Sequence, residues 1–123
     1  MKKIVTTPDA PAIGPYSPAT IYNGTIYVSG QIPTLPGGEL CSGSIAEQVT
    51  LVMSKIGDIL KAGGSDFSKL LKVNILLTDM ADFAAVNEAY AKFFESDPPA
   101  RMCYQVCALP KGAKVEIDAL GAV

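Results

Sequence analysis

Two long stretches of the chain carry a helical hydrophobic period and several shorter ones carry a strand period. "QVTLVMSKIGDILKAGG" places Val49, Val52, Ile56, Ile59 and Leu60 on one helical face. Ser44-Ile45-Ala46-Glu47 in front of it reads as a capping box, and Gly63-Gly64 supplies the stop. A second helical stripe runs through Phe83, Val86, Tyr90 and Phe93 or Phe94, with Asp79 or Asp82 as its cap. Between the helices, "KLLKVNILL" alternates as a strand. Leu71, Val73, Ile75 and Leu77 form a wholly apolar face; Leu70, Lys72, Asn74 and Leu76 form a mixed one. "TIYNGTIYVSG" sets Asn23-Gly24 between two β-branched and aromatic runs, as a type I′ hairpin requires, and pairs strands of about 18–22 and 25–29. "QIPTLPGGELCSGS" is loop, dense in Pro and Gly.

Pro98-Pro99 end any helix before Arg101. Two further strands, about 101–107 and 114–120, flank "ALPKGA", a connection short enough for a hairpin. The order is ββαβαββ, with a short strand possible at "KKIV". The expected fold is α+β: one domain over residues 1–123, with a mixed sheet and two helices packed on one face. The other face keeps Leu70, Leu76 and strand-end tyrosines, so association through the sheet is expected.

Composition sharpens this. Hydrophobic residues make up 49% of the 123 and charged residues 18%, which is rich for a small monomer. The apolar runs fall well short of the ~20 residues of a bilayer span, and "MKK" leads into "TTPDAP" rather than an apolar signal core. The expectation is a cytoplasmic protein with no membrane partner. Net charge is −2 and no Lys/Arg run occurs, which counts against nucleic acid as a partner. With no histidine and no CxxC pair, no metal is expected. Cys103 and Cys107 on one extended strand stand roughly 13 Å apart at ~3.3 Å per residue, beyond disulfide reach. Free thiols fit a reducing compartment.

The candidate chemistry gathers at "PPARMCYQV". Alternation puts Arg101, Cys103 and Gln105 on one strand face, and a tight hairpin over "ALPKGA" brings Glu116 opposite Cys103 or one pairing away. Arg101, Cys103 and Glu116 are then expected to share a patch. A guanidinium there offers a fork that matches a carboxylate. Glu116 is an acid–base candidate if partly buried, and a neighbouring cation could activate the Cys103 thiol. Each has a plainer alternative: a surface arginine, a solvated strand acid and a small apolar cysteine. Tyr16 reads by default as a packing aromatic and Asn87 as a surface amide.

"IGPYSPA", "VSGQIP", "DMADFAAVNEAYAKFF", "PPARMCYQV" and "ALPKGAKVEIDA" occur in this order at fitting separations. Together they resemble the reactive intermediate deaminase family (RidA, YjgF or L-PSP) from about Ile13 to Ala119. The resemblance implies a chorismate-mutase-like two-layer fold and a homotrimer with clefts between subunits. It implies that Arg101 binds a substrate carboxylate, that the Cys103 main-chain amide helps hold the ligand, and that Glu116 positions the attacking water. Tyr16, Ser29, Gly30 and Asn87 match the remaining site positions. The implied activity is hydrolysis of 2-imino acids, or of enamines such as 2-aminoacrylate, to 2-keto acids and ammonia, with no cofactor. The alternatives are a 2-keto-acid-binding regulatory module and, further off, an endoribonuclease or translation inhibitor; chaperone-like holding is a third possibility.

Overall fold

In the computed structural model, residues 1–8, 12 and 14–123 are described. Ile13, which opens "IGPYSPA", lies outside the described residues. A six-stranded sheet runs in the order β1-β2-β3-β6-β4-β5. Its strands are β1 (Lys3–Val5), β2 (Ala19–Tyr22), β3 (Thr25–Gln31), β4 (Leu70–Leu77), β5 (Ala100–Gln105) and β6 (Val115–Ala122). Helices α1 (Ile45–Ala62) and α2 (Phe83–Ala91) cover one face. This is the expected α+β arrangement, and the strand at "KKIV" is present.

Local chemistry sets the elements. The β2–β3 turn has positive φ at Asn23 (49°) and Gly24 (76°), so Tyr22 pairs with Thr25, as a type I′ turn dictates. At the start of α1, Ser44 Oγ accepts from the Glu47 amide at 3.1 Å and the Glu47 carboxylate accepts from the Ser44 amide at 3.5 Å. The predicted stripe of α1 is buried throughout. It packs on Ile26, Val73, Ile75, Leu77, Val115 and Ile117 of the sheet. Helix α2 is shorter than its apolar stripe. It ends at Ala91, and Phe93 and Phe94 pack on the core from beyond it. Asp79 caps a 3₁₀ turn ahead of it by accepting from the Ala81 amide; Asp82 makes no side-chain cap bond.

Three expectations are corrected. First, β5 and β6 are not a hairpin. Strand β4 lies between them, parallel to β5 and antiparallel to β6. Val73, Ile75 and Leu77 are fully buried, and a strand of this kind gains most with a neighbour on each side. The "ALPKGA" connection instead makes a 3₁₀ turn, and the chain then crosses the end of β4. There the Val106 amide donates to Leu77 and the Thr78 amide to Lys114, on the two strands' paths. Second, the β4–β6 register slips between Leu70 and Lys72. The bulge inverts the local alternation: Leu70 is 6% exposed and Leu71 57%. Third, β5 stops at Gln105, so Cys107 does not share a strand face with Cys103. All three cysteines are free, as expected.

The face away from the helices carries Met102, Tyr104, Tyr27 and, at the bulge, Leu71, all exposed. Among the described residues no helix is long and apolar enough to cross a membrane.

Candidate active site

Register divides the predicted site residues between the two faces of the sheet. Arg101 and Cys103 pair with Val73 and Ile75, whose side chains point into the core under the helices. Glu116 pairs with Leu76, which in turn pairs with Tyr104, on the open face. The shared Arg101–Cys103–Glu116 patch therefore does not exist within one chain. The intervening strand β4 removes the direct pairing that the hairpin would have made, and the row offset places the acid on the opposite side.

The first group sits along the outer edge of β5 against α2. Arg101, Asn87, Tyr90, Phe94, Pro98 and Pro99 line a pocket of about 370 Å³. Helix α2 has already ended at Ala91, and Pro98 and Pro99 hold the chain extended as it enters β5. The Arg101 guanidinium carbon lies 5.2 Å from the Tyr90 ring centroid and 5.8 Å from that of Phe83. Among the described residues no carboxylate pairs with it. Asn87 is half-buried, and its side-chain oxygen is buried without a partner among the described residues. Burial pushes the Cys103 thiol up and outweighs the opposite pull of Arg101. That direction favours the small apolar cysteine over the cation-activated thiol, since a neutral thiol is a poor nucleophile.

The second group sits where β3 bulges. Val28 pairs with Ala119 and Gln31 with Ile117, so Ser29 and Gly30 together face the single residue Asp118. The Ser29 hydroxyl donates to the Ser17 carbonyl at 2.6 Å, and its amide donates to the Pro18 carbonyl at 2.9 Å. These bonds tie the "GPYSP" loop, with the exposed Tyr16, to the bulge. Tyr16, Ser17, Thr20, Tyr27, Val28 and Ser29 line a shallow hollow there. The half-buried Glu116 carboxyl group lies over Gly30, where a side chain would collide with it. Burial raises the Glu116 carboxyl above its ordinary value, and the neighbouring Asp118 raises it further. Asp118 itself accepts a hydrogen bond from Asn74 at 2.8 Å.

Three contributors carry more than the sequence suggests. Phe83 and Tyr90 register there only as helix stripe, yet their rings face the Arg101 cation. Asp118 acts on Glu116 from two positions along the same strand, and the i, i+2 spacing of two acids is the signal that they interact.

Arg101, Asn87 and Cys103 thus form a cationic candidate half-site on the helix side of the sheet, and Ser29, Gly30, Glu116 and Tyr16 an acidic candidate half-site at the β3 bulge and open face. The family model "Endoribonuclease L-PSP" matches residues 7–123. A "2-iminobutanoate/2-iminopropanoate deaminase" of Bos taurus is 48% identical over 122 residues, covering 98% of this chain and 89% of that protein. The solved structure of YyfA from Yersinia pestis, described as a member of the conserved Rid protein family, superposes with a TM-score of 0.96 at 40% identity over the whole of both chains. That of E. coli TdcF with bound serine does so with a TM-score of 0.93 at 36% identity over 98% of both chains. The chain therefore belongs to the endoribonuclease L-PSP family, the reactive intermediate deaminase family that its motifs resemble.

Proposed function

We propose that this protein is a deaminase of 2-imino acids, hydrolysing the C=N bond to give a 2-keto acid and ammonia. The observation that carries this reading is the complementarity of the two half-sites. Among the described residues, one offers a carboxylate-binding cation with no acid paired to it, and the other a base with no cation paired to it. The relatives named for 2-iminobutanoate and 2-iminopropanoate hydrolysis support the same chemistry.

In this reading Arg101 forks the substrate carboxylate, which orients the imine and converts a bimolecular hydrolysis into a positioned one. The Cys103 amide and Asn87 complete that end. Gly30 and Ser29 line the nitrogen end, and Tyr16 closes the cleft. The Glu116 carboxylate accepts a proton as water adds to the iminium carbon, giving a carbinolamine. It passes that proton to the nitrogen. The carbinolamine hydroxyl then returns a proton to Glu116 as the C–N bond breaks, leaving a 2-keto acid and ammonia. No strong nucleophile is required, because the iminium carbon is already electrophilic. A base whose pKa is raised toward the working pH is suited to this exchange.

Because the half-sites lie on opposite faces, each cleft needs a second copy of the chain. We infer a homotrimer joined through the open sheet face, where Leu71, Met102 and Tyr104 supply apolar contact. The three free thiols favour a reducing compartment, and we assign the protein to the cytoplasm. The net charge of −2 argues against RNA as the substrate. One observation favours a second reading, ligand holding without turnover: a solved relative carries bound serine. To separate the two, an amino-acid dehydratase is mixed with the protein and imine disappearance is followed. Acceleration over buffer that is lost in Arg101→Ala supports the deaminase. Binding of 2-ketobutyrate without acceleration supports the holder, and full activity in Arg101→Ala overturns the proposed site.

A further inference from the structure

The Arg101 guanidinium carbon lies over the rings of Tyr90 and Phe83, and no carboxylate among the described residues pairs with it. The five N–H donors of a guanidinium lie in its plane. A carboxylate partner within the chain would occupy that fork and compete with substrate. The aromatic rings of Tyr90 and Phe83 attract the cation through their π-faces and use none of the donors. Their centroids stand 5.2 and 5.8 Å from the guanidinium carbon.

The Tyr90 ring is itself fixed. The residue is 5% exposed, and its ring stacks obliquely on Phe94 at 4.9 Å. Phe94 meets Phe67 edge-on at 6.1 Å, and Phe67 meets Phe93 at 5.3 Å. Tyr90 follows Asn87 by three residues on α2, so both face the same pocket. Its hydroxyl has no hydrogen-bond partner among the described residues. Burial pushes that hydroxyl up to about 12, against the pull of Arg101, so it stays protonated across the neutral range and is not a proton carrier there.

We propose that Tyr90, assisted by Phe83, is a positioning residue whose ring face holds Arg101 so that its fork meets the substrate carboxylate. The inference rests on the reading of Arg101 as the carboxylate anchor. It assigns the work to the ring and none to the hydroxyl.

The test measures 2-ketobutyrate affinity, together with kcat and KM for imine hydrolysis, in Tyr90→Phe, Tyr90→Leu, Arg101→Ala, Arg101→Lys and Tyr90→Leu/Arg101→Lys. Tyr90→Phe keeps the ring and is expected to match the parent protein. Tyr90→Leu is expected to weaken ligand binding and raise KM about two- to thirtyfold, the span from an exposed to a desolvated cation–π contact, while kcat moves much less. In the Arg101→Lys background the same change is expected to cost clearly less, because the planar fork it aligns is gone. Where Tyr90→Leu does not fold, Phe83→Leu carries the same comparison. Equal losses in Tyr90→Phe and Tyr90→Leu overturn the inference, as does an undiminished loss in the Arg101→Lys background. If Arg101→Ala abolishes binding while Tyr90→Leu leaves it intact, only the cradle fails. If Arg101→Ala binds normally, the anchor reading fails first.

Discussion

Gly30 and Glu116 are packed so closely that a Cβ on Gly30 would stand 2.9 Å from the Glu116 carboxyl carbon and 3.2 Å from its Cγ. The bulge in β3 makes this approach possible, and the absence of a side chain at Gly30 lets the acid lie across the strand. Gly30→Ala is therefore expected to swing the carboxylate away from its position. A displaced general base commonly costs about 10²-fold in rate. Imine turnover should fall by that order, while thermal unfolding shifts little. Unchanged turnover would show that the Glu116 position seen here is not the working one.

Asp118 offers a pH test. As the proposed base, Glu116 would work only when ionised, so activity should rise as pH climbs through its pKa. That pKa lies above the ordinary 4.5, from burial first and Asp118 second. D118N removes the second cause and keeps the first. The acid limb of the rate profile should move to lower pH without reaching the ordinary value. The stability linkage has a matching sign. A raised carboxyl contributes stability that is present below 4.5 and lost as pH rises through the folded pKa, and D118N should narrow that window. A rate profile with an unmoved acid limb in D118N would remove Asp118 from the site's electrostatics.

Ile75 tests the core that carries both half-sites. It is fully buried, with Cys103 beside it on β5 and Ile117 beside it on β6. Ile75→Ala should destabilise by about 2–5 kcal/mol, the range for deleting a core side chain of this size. Urea unfolding measures it. A loss below about 1 kcal/mol would mean the site relaxes around the cavity far more than a central strand allows.

Met102 and Tyr104 lie on the open face, 40% and 47% exposed. Met102→Glu places a charge where the proposed contact between copies is apolar. Sedimentation or light scattering should show a smaller assembly, and activity should fall with it. Because Met102 points away from the core, the fold of the separate chain should survive, which circular dichroism can check.

Much of this was legible in the sequence because local chemistry decides it. Asn23-Gly24 fixes one hairpin, Ser44 and Glu47 fix a helix start, and Pro98-Pro99 mark where β5 begins. The positions of Arg101 and Glu116 on their own strands follow from simple alternation. What alternation cannot supply is which strand lies beside which. β4 is a local pattern like the others, and only the burial of Val73, Ile75 and Leu77 on both flanks draws it between β5 and β6. That one insertion moved Arg101 and Glu116 to opposite faces. Leu70 and Leu71 show the same limit on a smaller scale: a single bulge reversed their exposure. The family motifs set out the candidate site residues in sequence order, but the separation of their two groups is a property of the sheet.

The claim that the two halves meet only across copies is tested most directly by subunit mixing. Arg101→Ala and Glu116→Gln are each prepared, denatured together in equal amounts, refolded, and assayed for imine hydrolysis beside each variant alone. If each cleft draws Arg101 from one copy and Glu116 from its neighbour, about a quarter of the clefts in a randomly mixed ring are intact, and activity should return to about that fraction. Mixed assemblies that remain as inactive as the separate variants would contradict the account, because they would place both residues of a working site in the same chain.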